Sequence, residues 1–89
     1  MRVVLTVIGQ DKVGIIAGVS NTLAECNINI ININQNIMQG FFNMVLIADM
    51  SEATVSLQEA KDKVHPLGVR IGVDIRMQSE DIFKAMHRV

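Results

Sequence analysis

Tryptophan and tyrosine are absent from this 89-residue chain, phenylalanine occurs three times, and cysteine and proline occur once each. One cysteine rules out an intrachain disulfide, and Cys26 reads as a small buried apolar residue at a helix end. With so few aromatics the core must be built from Ile, Val, Leu and Met, and no stacking platform for nucleic-acid bases is available. Charge of one sign is lacking too: eight basic and nine acidic residues are scattered, for a net −1. That leaves no electrostatic footprint for nucleic acid or an anionic membrane. No apolar run approaches the roughly 18 residues of a membrane helix. Met1-Arg2 leads into a strand-like run with no small-residue cleavage site after it, so a cytoplasmic protein is the expectation. His65 and His87 have no Cys or His at ligand spacing, and Ser20 and Ser56 have no adjacent base. The chain is therefore expected to hold no metal or cofactor and not to be an enzyme.

What is present is aliphatic: hydrophobic residues make up 49% of the chain. A single small domain buries only roughly 60% of its unfolded surface, so some of these side chains should face a partner, most simply a second copy.

The elements follow from spacing. Residues 3–8 are β-branched and apolar, a strand. Ile15, Ile16, Val19, Leu23 and Cys26 recur at helical spacing, and Asn27 suits a left-handed stop. Residues 28–38 alternate apolar and polar with one slip at Ile30-Ile31, which implies either a β-bulge or burial of both faces. Gln39-Gly40 marks a tight turn into a strand over 41–50, making an antiparallel hairpin. Ser56-Leu57-Gln58-Glu59 has capping-box spacing, with Thr54 as the alternative cap. The helix after it, with Val55, Leu57, Ala60 and Val64 inward, is expected to end near His65, stopped by Pro66 and Gly68. Val69, Ile71, Val73, Ile75 and Met77 then alternate as the last strand. Ser79 caps a short helix, with Glu80 and Asp81 in its first turn and Lys84, His87 and Arg88 in its last. Ile82, Phe83, Met86 and Val89 are its apolar stripe.

The order is that of an α+β, ferredoxin-like βαββαβ sandwich: a four-stranded antiparallel sheet with two helices on one face, plus a short C-terminal helix. Function must come from a site rather than from this architecture. The most informative stretch is the turn Asp11-Lys12-Val13-Gly14 between the first strand and first helix. Gly14 lets the backbone approach a ligand, and the helix N-terminus behind it offers unpaired N–H groups to a carboxylate. Asp11 could accept from a ligand ammonium or only cap the helix. Lys12 reads as solvated. Five asparagines follow, Asn27, Asn29, Asn32, Asn34 and Asn36. Asn29 could hold a ligand or steady the loop, and the last three suit a polar sheet edge or interface.

Asp11-Lys12-Val13-Gly14-Ile15-Ile16-Ala17 resembles the strand-to-helix signature of ACT domains, the small regulatory modules that bind amino acids. Asn27-Ile28-Asn29-Ile30 resembles their second-strand start. The resemblance covers residues 1–78. Residues 79–89 form a helical extension of the same domain, whose tail from Glu80 to Val89 resembles that of stand-alone bacterial ACT proteins akin to the ACT modules of the glycine-cleavage transcriptional repressor. Two positions depart from the pattern: Val13, where many members have Pro, and Gly9, where some have His. Carried over position by position, the resemblance implies a ligand pocket using Gln10, Asp11, Gly14, Ile15, Ile16 and Asn29, near a homodimer interface. The expected role is a regulatory module that binds an amino acid or similar carboxylate and acts in trans on a protein partner. A pure interaction module without a ligand is the alternative.

Overall fold

The computed structural model describes residues 1–86, in the order β1 (Arg2–Gln10), α1 (Ile15–Glu25), β2 (Asn29–Met38), β3 (Phe41–Asp49), α2 (Leu57–Ile71), β4 (Val73–Ser79) and α3 (Glu80–Met86). The strands pair antiparallel in the order β2-β3-β1-β4. Alternation along β1 sends Val3, Leu5 and Val7 to one face, where they meet Phe42, Met44 and Leu46 of β3. Ile15, Val19 and Leu23 of α1 and Ala60, Val64 and Leu67 of α2 close over the same face. Both helices therefore share one side of the sheet, as the ferredoxin-like order requires. Cys26 is buried in that core.

Local chemistry sets the ends. Asn27 has φ 56°, and the N–H groups of Asn27 and Ile28 donate to the carbonyls of Ala24 and Leu23. This is a Schellman stop with asparagine in the left-handed position, and it seats Ile28 beside Leu23. Gln39 and Gly40 both have positive φ, as a two-residue I′ hairpin turn demands. The slip in β2 is a β-bulge: the register shifts between Ile30 and Asn32. Ser56 caps α2 with the full capping box, its hydroxyl accepting from the Glu59 N–H and the Glu59 carboxylate accepting from the Ser56 N–H. The Ser56 N–H first, with the Ser56 hydroxyl after it, holds the Glu59 carboxyl below its ordinary pKa. Thr54 instead donates to the Cys26 carbonyl.

The end of α2 corrects the sequence reading. The helix does not stop near His65 but runs through Pro66 and Gly68 to Ile71, with Gly72 as its left-handed cap. Val69 and Ile71 are helical, and β4 begins at Val73. Two periods overlap here: residues 69, 71, 73, 75 and 77 alternate, while 57, 60, 64, 67 and 71 are spaced as a helix stripe. Burial of Leu67 and Gly68 favours the helix. Pro66 is exposed, where the Asp62 carbonyl it leaves unbonded can turn to water.

The second face of the sheet is covered only in part. Ser79 accepts from the Ile82 N–H and starts α3, whose Glu80 lies 3.9 Å from Arg2 and 3.6 Å from Lys84. Phe83 and Met86 roof a hollow of about 230 Å³ above Val4, Thr6 and Ile8. Val4 is 4% exposed and Ile8 51%, so α3 shields one end of β1 only. The expected contributions of His87, Arg88 and Val89 to this helix lie outside the described residues.

Candidate functional site

The loop after β1 is shaped by its two flanks. Gln10 is the last residue of the ladder, paired with Phe41, and the Asp11 N–H donates to the Gly40 carbonyl at 2.8 Å. The loop is thus pinned to the β2–β3 turn. It then passes through Lys12 and the fully exposed Val13 to Gly14, which has φ 94° and stands as the N-cap of α1. The Gly14 carbonyl accepts from the Gly18 N–H, but no side chain caps the helix, so Asp11 does not take the capping role open to it in the sequence. The amides of the first turn remain available, at the positive end of the helix dipole. A Cβ built on Gly14 would meet nothing within 4 Å. The notch is open, and one chain gives it a floor without walls.

The expected site residues divide on inspection. Gln10, Asp11, Gly14 and Ile16 are exposed around the notch. Ile15 is 1% exposed, its side chain sunk in the core, so only its main-chain N–H faces the loop. Asn29 is elsewhere. It pairs with Asp49, and Asp49 pairs with Arg2, the opposite end of β1 from Gln10. Eight strand steps, about 26 Å, separate that end from the loop. A single chain does not bring Asn29 to Gly14. Lys12 is not simply solvated: its ammonium donates to the Ile71 carbonyl at 3.0 Å.

At the Asn29 end lies a hollow of about 520 Å³ walled by Asn27, Ile28, Asn29, Asp49, Ser51 and Glu52. The Asn27 amide donates to the Glu52 carbonyl at 2.8 Å. Asp49 accepts from the Ser51 N–H at 3.0 Å and the Ser51 hydroxyl at 2.9 Å, bonds that hold its carboxyl below its ordinary pKa. The asparagine cluster pointed to this region. Asp49, Ser51 and Glu52 carry no motif, and only the strand register places them there.

Asn32, Asn34 and Asn36 align with Ile47, Val45 and Asn43 on the sheet face away from α1 and α2. Ile33 and Ile37 align with Leu46 and Phe42 on the helix side, yet remain 39% and 50% exposed because no helix reaches the outer edge of β2. Among the described residues no group of three or more His, Cys, Asp or Glu gathers to hold a metal, and no helix is long and apolar enough to cross a membrane.

The profile of the ACT domain family matches residues 1–78. A UPF0237 protein of Listeria innocua is 51% identical over 89 residues, covering the whole of both chains. An ACT domain protein from Streptococcus pneumoniae superposes with a TM-score of 0.81 at 33% identity, over 94% of each chain. A putative glycine cleavage system transcriptional repressor shares the fold, with a TM-score of 0.76 at 19% identity, over 86% of this chain and 44% of that one.

Proposed function

Because the chain belongs to the ACT domain family, whose members are regulatory small-ligand-binding modules, we propose that it is a homodimeric sensor of an amino acid or similar small carboxylate, acting in trans in the cytoplasm on a protein partner rather than by catalysis. The observation that carries this is the uncapped start of α1 at Gly14, with open space in front of it. The ligand's carboxylate sits against the N–H groups after Gly14, with Gln10, Asp11 and the exposed part of Ile16 around it. The notch lacks walls, and a second copy supplies them. β2 is an edge strand with exposed isoleucines, so two copies joined β2 to β2 in antiparallel fashion form one continuous sheet. That pairing lays Asn29 of the partner subunit beside Met38, at the same end of the joined sheet as the Gly14 loop. The joined sheet then carries both halves of the expected site at one end, with β2 and β3 between them.

Calorimetric titration of the protein against the twenty amino acids tests the reading. One or a few should give saturable heat, and Gly14→Val should abolish it by placing a side chain in the open notch. A folded dimer silent across the panel would remove the amino-acid reading. The interaction-module reading rests on α3, whose Ile82 and Met86 stay 54% and 61% exposed. In that case Ile82→Ser with Met86→Ser should abolish capture of a partner while leaving the dimer intact.

A further inference from the structure

Lys12 is the feature that neither the notch nor the core accounts for. Among the described residues it makes the only hydrogen bond from any side chain of residues 10–14, and it reaches 59 positions along the chain to do so. We propose that Lys12 is the positioning residue of the β1–α1 loop, tying it to the last turn of α2 so that the two segments open and close as one unit.

Both ends of the contact are prepared for it. The Ile71 carbonyl is one of the last four of α2, which no intrahelical N–H can reach, and a cation is favoured there by the helix dipole. Gly72 caps the helix at φ 86°, its N–H donating to the Gly68 carbonyl at 2.8 Å. A Cβ on Gly72 would lie 2.9 Å from Lys12 Nζ, so glycine there leaves the space the ammonium occupies. The turn being held has local weaknesses that a tie would offset. Pro66 has no N–H for the Asp62 carbonyl, so the helical ladder is interrupted just before this turn, and Gly68 within it is a poor helix former. The loop is in similar need: it is bonded on one flank through the Asp11 N–H and left uncapped on the other at Gly14. Lys12 stands between these flanks and supplies the missing tie. On the sensing reading above, it also gives a molecule seated at Gly14 a route to α2 and the start of β4.

Native-state hydrogen exchange followed by NMR on the full chain, with no ligand added, tests the tie. The amides of Asp11 and Gly18 report on the loop, that of Gly72 on the α2 turn, and those of Leu5 and Leu46 on the core. In Lys12→Met, the loop and turn amides should both exchange about fivefold faster relative to the core amides, the upper end of what losing one solvent-exposed charged contact costs. Lys12→Arg keeps a cationic donor and should leave both ratios near wild type. Acceleration in one segment without the other, in neither, or equally in the arginine variant would overturn the proposal. Because no ligand is present, silence in the calorimetry leaves this result untouched.

Discussion

Gly14 and Gly68 are glycines for reasons that one added methyl group separates. At Gly14 the constraint is conformational: φ is 94° and the space beyond is empty. Gly14→Ala should therefore cost about 1 kcal/mol, the strain of a left-handed residue. At Gly68 the constraint is steric, because a Cβ would lie 2.8 Å from the Val73 carbonyl oxygen, where α2 turns back onto β4. Gly68→Ala should cost more, about 2–3 kcal/mol, since backbone must move. Urea midpoints of the two variants measure the order, and the reverse order would contradict the packing at Val73. Gly9 has the same cause: its Cβ would meet the Val73 side chain at 2.8 Å, so the histidine some relatives are expected to carry there would not fit beneath this valine. The sequence shows Gly14 readily, because it stands between a strand and a helix. It shows Lys12 badly, because the carbonyl that Lys12 finds belongs to an element far along the chain.

Elements were legible where one signal dominated. β1, the Gln39-Gly40 turn and the Asn27 stop follow from local chemistry that nothing opposes, whereas the strand register decides for the bulge in β2 and the Glu59 bonds decide for Ser56 over Thr54 as the cap. The end of α2 was hidden because residues 67–73 satisfy two periods at once, and Pro66 with Gly68 reads as a stop. Tertiary packing decides between them: Leu67 and Gly68 are buried, and the proline sits on the wet side. Since Pro66 is tolerated rather than required, Pro66→Ala should restore a donor to the Asp62 carbonyl and raise stability by about 1–2 kcal/mol. Thermal unfolding measures this. A loss of stability instead would mean that the break in the ladder is needed by the fold.

For the molecule as a whole, the candidate site was legible in its composition but not in its arrangement. The asparagines and the Gly14 turn stand out in the sequence, whereas their separation to opposite ends of the sheet depends on the strand register, which spacing alone does not give. On the proposed β2-to-β2 pairing, the edge of β2 is the contact between copies. Replacing Ile33 and Ile37 by lysine should weaken self-association at least about tenfold by placing unpaired charge at that edge. Sedimentation of the wild-type chain at twice its mass and of the double variant as a monomer is the expected result. A variant that still sediments as a dimer would move the interface elsewhere. The strand order has one more consequence. β1 lies between β3 and β4, so it is paired along both edges only when residues 73–79 dock beside residues 3–9. The pairing that completes the sheet thus joins its most distant segments, the kind of contact that makes a domain slow to fold.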